Sequence, residues 1–344
     1  MNLMNRRIAS LIFTVAGLAM CGPVLADLKG TATIYGFGFD TNSAAFGVSA
    51  DGSTVVGRSN NQAVRWTVAD GLEDLDVADS DPEQAHGVSA DGSVVVGGSD
   101  FSSFRWTEDD GVEYVSAIGE AHDVSADGTV VVGYRGAWQW AEDGGTRLLT
   151  VDGVAYGVSD DGSTVVGETY DNTAFLWTEA GGIEYLGARS ARDTSADGST
   201  VVGTTYDNTA FLWTESAGLV DLGTIPGETS ATALAVSGDG SIVVGAGEYN
   251  AFIYDEQNGM RSISDMLLQD YGLNVGAPGW QLNAAWGISS DGLTIVGMGW
   301  NGGGYDEGWV VKLQPMSVVP APGAVLLGLL GLGHSACRLR RRTS

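Results

Sequence analysis

Cysteine, proline and positive charge are scarce in this sequence of 344 residues. Its two cysteines, Cys21 and Cys337, lie close to the two ends. The long region between them can therefore hold neither a disulfide nor a thiolate metal site, and packing alone must hold it together. Of the 7 prolines, Pro315, Pro320 and Pro322 cluster near the C-terminus, so most interior turns fall to the 52 glycines. Basic residues number 16 against 43 acidic ones, giving a formal charge of −27. A surface of that sign repels phosphate backbones, which excludes DNA and RNA as partners, and it keeps a protein soluble. The sequence has no nucleophile elbow, no His-Glu zinc helix, no phosphate loop and no Asp-x-Asp-x-Asp-Gly calcium loop. It therefore predicts no enzyme, no cofactor and no metal.

The two ends differ from the interior. Residues 1–26 have a basic start at Arg6 and Arg7, an apolar core over 8–20 and a small-residue exit at Val24-Leu25-Ala26, the pattern of a secretory signal that signal peptidase removes. A lipoprotein signal ending at Cys21 is the alternative, but Met20 stands where a small residue should precede the lipidated cysteine. Residues 316–344 carry Pro320 and Pro322, an apolar run over 324–333, and the cluster Arg338, Arg340, Arg341 and Arg342. At about 1.5 Å per residue the helical run 323–337 reaches about 22 Å, short of the roughly 30 Å of a bilayer core, which favours a transient, processed segment over a permanent span. This order of proline motif, apolar helix and arginines resembles the PEP-CTERM sorting signal, with Ala321 where that motif has Glu. The resemblance implies an exosortase-like enzyme as a partner during export and delivery to a bacterial cell surface or extracellular matrix. A plain anchor with positive-inside arginines is the other reading. Membrane contact is expected only through these terminal segments.

Between the ends the sequence repeats. The stretch Gly47-Val48-Ser49-Ala50-Asp51-Gly52-Ser53-Thr54-Val55-Val56-Gly57 returns with its Asp-Gly at Asp91, Asp127, Asp161, Asp197, Asp239 and Asp291. The mean spacing of about 40 residues falls in the range of propeller repeats. Each unit reads as four extended runs, in the fourth unit 155–159, 163–167, 174–178 and 183–186, with Asp-Gly supplying the positive φ angles of a tight hairpin between the first two. Small residues alternate along the first run, as in Ala45, Gly47 and Ser49. The third run carries rings two residues apart, such as Phe175 and Trp177 or Phe211 and Trp213. Period two puts each pair on one sheet face, where its regular recurrence reads as core between neighbouring sheets in preference to a glycan platform.

The last unit lacks its fourth run after Trp309 and Val311, and Ile34-Tyr35-Gly36-Phe37-Gly38 supplies the missing pattern at the other end. The expected architecture is an all-β, seven-bladed β-propeller over residues 27–315, built of four-stranded antiparallel blades and closed by an N-terminal strand completing the last blade. A solenoid, the rival, gives no reason to split one unit between two ends. An insertion over about 262–281 contains a helical pattern, 264–271, ended by Gly272. Met266, Leu267 and Tyr271 are its expected contacts beside the ring, and a lid over a site is the alternative.

Taken together, Leu222-Gly223-Thr224-Ile225-Pro226-Gly227, the stretch 233–245 and Asn250-Ala251-Phe252 resemble the HAF repeat of bacterial extracellular proteins. The naming tripeptide is altered here to Thr173-Ala174-Phe175, Thr209-Ala210-Phe211 and Asn250-Ala251-Phe252. The resemblance covers about 34–313 and implies an exported surface protein. It transfers no catalytic residue.

In a propeller the first-to-second and third-to-fourth turns share one rim and the other connections share the opposite one. The first rim is here a monotony of Asp-Gly and Gly-ended turns. The second varies from unit to unit, with Asn60-Asn61-Gln62, Tyr170-Asp171-Asn172, Tyr206-Asp207-Asn208 and the run Trp300 through Tyr305. Tyr170, Asp171, Tyr206, Asp207, Trp300 and Tyr305 are groups that stack on and hydrogen-bond to sugars, which makes a glycan or envelope ligand one expectation and ligand-free solvated loops the other. A single position in the first run also varies, through Phe46, His86, His122, Tyr156, Arg192, Leu234 and Trp286. His86 and His122 fall in adjacent blades, but two histidines without a clear third ligand read as packing or surface residues before they read as a metal site. The expected function is that of an exported, surface-sorted structural or interaction module without catalysis. A carbohydrate-binding propeller is the alternative, and an extracellular glycan hydrolase or lyase is the third reading.

Overall fold

The computed structural model describes residues 29–315 apart from 38–41, 78–82, 100, 117–118, 143, 151 and 278. The expected signal peptide and the sorting tail, with Pro320, Pro322, Arg340, Arg341 and Arg342, lie outside the described residues. Among the described residues the strands form seven separate four-stranded antiparallel sheets, the blades of a β-propeller. The first blade pairs Ser43–Val48, Thr54–Ser59, Gln62–Thr67 and Gly71–Asp74, from the central channel outwards. Five further blades repeat this order, and the innermost strand of the seventh, Gln281–Ile288, lies against that of the first.

The ring closes as its missing strand requires. The seventh blade takes Gly30–Gly36 as its outermost strand, next to Asp306–Pro315, Thr294–Trp300 and Gln281–Ile288. Just beyond it, the Phe37 N–H donates to the Gly308 carbonyl at 2.8 Å. Ala32, Ile34 and Phe37 are all buried, so the strand contributes core as well as backbone pairing.

The Asp-Gly turns are tight hairpins as expected, but positive φ falls on the glycine and not on the aspartate. Gly52 has a φ of 69°, and Asp51 is not among the residues with positive φ. The Gly52 N–H bonds the Ser49 carbonyl at 2.9 Å, which makes a type I turn followed by a left-handed glycine. Two side chains explain the choice. Asp51 Oδ1 accepts from the Ser49 hydroxyl and the Ser53 N–H, both at 2.9 Å, while Ser49 Oγ accepts from the Thr54 N–H at 3.0 Å. Every copy of the turn repeats this wiring. One residue earlier in each turn, a chain of backbone bonds ties the blades together. Ala50 donates to Ala90, Ala90 to Ala126, Ala126 to Asp160, Asp160 to Ala196, Ala196 to Gly238 and Gly238 to Ser290, all at 3.0–3.1 Å. The monotony of this rim is thus the chemistry of joining blades.

Rings of the third strands fill the space between blades. Phe175 packs with Val132, Ala137 and Ala155 between the third and fourth blades, and Phe211 with Ala174 and Ala191 between the fourth and fifth. Both are fully buried. The insertion forms one helix, α1, over Ile263–Tyr271. Its cap is Ser262, two residues before the serine that opens the predicted helix, because the Ser262 hydroxyl accepts the Asp265 N–H at 3.0 Å and Ile263 is buried as the first helical residue. Met266 and Leu267 pack against Ala32 and Ile34 of the closing strand. None of its residues lines the channel cavity, and its buried side chains make α1 a wedge beside the ring. Among the described residues no helix is long and apolar enough to cross a membrane.

Candidate functional site

The alternation of small residues along the innermost strands is broken at one shared place in every blade, and in the seventh a second time between Leu282 and Ala284. Register skips one residue between Ala45 and Gly47, between Ala85 and Gly87, and at the equivalent place in the other five blades. The skipped residues are Phe46, His86, His122, Tyr156, Arg192, Leu234 and Trp286. A bulged residue has no cross-strand partner, and the bend it causes re-aims its side chain. All seven line one cavity of about 180 Å³, the half of the central channel nearer the variable rim.

Six of the seven form a continuous stack around this mouth. Trp286 meets Phe46 edge-on at 5.9 Å between centroids, Phe46 meets His86 at 5.0 Å, and His86 meets His122 at 5.4 Å. His122 stacks on Tyr156 at 5.3 Å, and the Arg192 guanidinium lies 4.1 Å above the Tyr156 ring. Leu234 completes the circle. The mouth therefore has an apolar arc, Leu234, Trp286 and Phe46, and a polar arc running from His86 to Arg192.

Glu120, just ahead of the third innermost strand, joins the two histidines. Its Oε2 lies 3.3 Å from His86 Nε2 and 3.7 Å from His122 Nε2. Burial opposes ionisation of Glu120, but hydrogen bonds and charge from His122 and His86 outweigh it and hold the carboxyl down at about 2. Burial pulls the His122 imidazole below its ordinary value, against the attraction of Glu120. The Tyr156 hydroxyl donates to Glu168 Oε1 at 2.9 Å, and burial, opposed by the charge and hydrogen bond of Arg192 and reinforced by Glu168, pushes its pKa up to about 12. Among the described residues no cluster of three or more His, Cys, Asp or Glu side chains could hold a metal ion. The His-Glu-His group is held by ion pairing, and within it His86 Nε2 is buried without a well-aligned hydrogen bond.

One layer deeper, two carboxylates narrow the channel. Where four blades have Gly and the sixth has Ala235, the third and fifth have Asp123 and Asp193. Asp123 accepts the Val124 N–H at 2.8 Å and, from the next blade, the Val158 N–H at 2.9 Å. Asp193 does the same with Thr194 at 2.8 Å and Val236 at 2.9 Å. Each is a clamp between blades. Solvent reaches both through the channel, yet protein surrounds them on the other sides. Burial, with Asp193 nearby, pushes Asp123 up to about 8, and burial pushes Asp193 up to about 6.

The residues singled out from the sequence divide into two groups. His86 and His122 meet in the channel mouth, as adjacent blades require. Tyr170, Asp171, Tyr206, Asp207, Trp300 and Tyr305 are exposed on the variable rim of the fourth, fifth and seventh blades. There Asn172 and Asn208 turn the two Tyr-Asp-Asn loops, with φ of 58° and 60°. Phe101 and Tyr249 share this rim, at 61% and 59% exposure. None of the exposed aromatics among the described residues sits on the Asp-Gly rim. Glu120, Asp123 and Asp193 were not foreseen. The two aspartates were marked only by replacing Gly in an otherwise regular position, and Glu120 by nothing in the repeat.

No family model and no curated protein matches this chain. Among solved structures it is similar to the β-propeller domain of Cps50 (Swd1) from Myceliophteria thermophila, with a TM-score of 0.52 over 80% of this chain and 100% of that one. At 11% identity this likeness shows the fold alone: the chain is a β-propeller whose chemistry must be read from its own residues.

Proposed function

We propose that the protein is an exported, surface-sorted and non-catalytic interaction module of a bacterial envelope or extracellular matrix, and that it engages an extracellular polysaccharide with its variable rim. The observation that carries this reading is the concentration of exposed rings on one rim, with Tyr114 and Tyr185 on outermost strands as the exceptions. Phe101, Tyr170, Tyr206, Tyr249, Trp300 and Tyr305, each 52–61% exposed, stand on that rim together with the channel mouth. Exposed rings beside exposed Asp and Asn side chains suit the apolar faces and hydroxyls of sugars, and loops on a rigid ring vary without cost to the fold. The acidic surface disfavours polyanions, so neutral glycans are the favoured class. The two tails support export and sorting through their resemblance to known signals.

The test is a glycan array probed with the purified protein and with a variant carrying Tyr170→Ala, Tyr206→Ala and Trp300→Ala. Binding by the parent, lost in a variant that melts at the parent's temperature, supports the reading. An array without binding above background refutes it.

A further inference from the structure

The mouth of the channel holds one cation without a carboxylate. Arg65, Arg105, Arg147 and Arg261 each sit within ion-pair reach of a glutamate or aspartate, and Arg58 and Arg189 donate to asparagine side chains. Arg192 has neither kind of partner among the described residues, and its Nε is buried without a hydrogen bond. In a chain of charge −27 such a group is conspicuous. Stacking on Tyr156 fixes the plane of its guanidinium at the cavity wall. The guanidinium also hydrogen-bonds the Tyr156 hydroxyl, and a planar, oriented guanidinium with N–H groups left over is the usual receptor for a carboxylate.

The surroundings narrow the class further. Leu234, Trp286 and Phe46 offer an apolar arc in the same mouth, and Trp286 keeps 37% of its surface exposed. A guest should therefore combine one carboxylate with a ring that has an apolar face. The other acids nearby are already engaged, Glu120 by two histidines and the oxygens of Asp123 and Asp193 by backbone N–H groups of two blades. The field of an acidic chain opposes any anion at long range, which disfavours a polyanion and leaves a single small acid held by short-range contacts. A cavity of about 180 Å³ suits one such ring and not a threaded chain.

We propose that the channel mouth binds a single hexuronate, its carboxylate paired with Arg192 and its ring lying on the arc of Trp286, Phe46 and Leu234. This deepens the glycan reading of the rim and rests on it: the mouth takes an acidic end residue while the rim carries a neutral chain. The hexuronate enters from the side on which Tyr170, Tyr206 and Trp300 stand, so one sugar chain can engage both places.

The experiment is calorimetric titration of the purified protein with glucuronate, its methyl ester and glucose. Loss of a charge-assisted bidentate pair predicts that the ester and glucose bind about tenfold or more weakly than glucuronate. Arg192→Gln should weaken glucuronate about tenfold and leave glucose unchanged, and Arg192→Lys should recover part of the loss. Trp286→Ala should weaken acid and neutral sugars alike. Equal affinity for glucuronate and its ester, or no binding of glucuronate up to about 10 mM, overturns the proposal on the unmodified protein, so it does not depend on how any variant folds. Glycan-array binding without glucuronate binding removes the mouth and keeps the rim. Glucuronate binding without array binding does the reverse.

Discussion

Closure of the ring concentrates on one side chain, Phe37. It is 1% exposed and packs with Ala45, Val55, Val64 and Trp66 of the first blade and with Val296 and Val310 of the seventh. Gly57 and Gly308 leave room for it, since a Cβ on either would come within 2.9 Å of Phe37 atoms. Truncating a buried phenylalanine costs about 3–5 kcal/mol when the site cannot collapse, and a seam held by backbone pairing on both sides collapses poorly. Leu186, the matching residue of the fourth blade, provides an internal standard, and its truncation should cost about 2–5 kcal/mol. Phe37→Ala should therefore lose at least as much stability as Leu186→Ala. Guanidinium unfolding followed by tryptophan fluorescence measures both. Removing residues 27–38 altogether should also lower the denaturant slope, because blades that are no longer locked in a circle unfold less cooperatively. A loss below about 1 kcal/mol for Phe37→Ala, beside a full loss for Leu186→Ala, would make the N-terminal strand an appendage and refute the closure argument.

The channel carboxylates predict an unusual pH dependence. Asp123, at about 8, and Asp193, at about 6, hold their protons more tightly in the folded chain than in the unfolded one. The stability they favour is complete below about pH 4 and is lost as pH rises through these two values. Burial lowers the His122 imidazole and so gives the opposite slope below its ordinary value of about 6.5, which leaves Asp123 the main source of a falling slope in the window from about pH 7 to 8.5. There the melting temperature should fall with pH, and Asp123→Asn should flatten the fall; a parent curve that is level or rising in this window contradicts the assignment. Two glycines separate backbone conformation from packing. Gly162 and Gly182 have φ of 71° and 69°, but a Cβ would strike Val130 of the preceding blade only at Gly162, with nothing within 4 Å at Gly182. Alanine at Gly182 should cost the left-handed penalty of about 1–2 kcal/mol, and at Gly162 a further 1–3 or so from overpacking. Equal losses in urea melts would show that the turn does not brace its neighbour.

Blade number and closure were legible because both depend on what the units share. Asp51 and its counterparts must each accept two hydrogen bonds to shape the turn, and in six of the seven blades the residue before it presents its N–H to the next blade, so the sequence repeats wherever blades have to agree. The same logic hid the bulge. An extra residue in every first strand shifts all copies together and leaves the repeat regular, so period-two reading carried the alternation of Ala45, Gly47 and Ser49 straight through it. The bulge also explains why one position in a fixed strand is free to vary. Phe46, His86, His122, Tyr156, Arg192, Leu234 and Trp286 have no cross-strand partner to match, so exchanging one for another leaves pairing intact and alters only the wall of the channel. Asp123 and Asp193 depart from that freedom, because at their position a side chain meets the next blade. A Cβ on Gly87 would come within 3.0 Å of Asp123 Cα, and one on Gly157 within 3.1 Å of Asp193 Cα. The next blades after Asp123 and Asp193 leave room for a side chain that bonds their N–H groups. The fold thus releases one side chain per blade into the mouth, and sequence comparison between units finds the site at the place where the repeat has least to say.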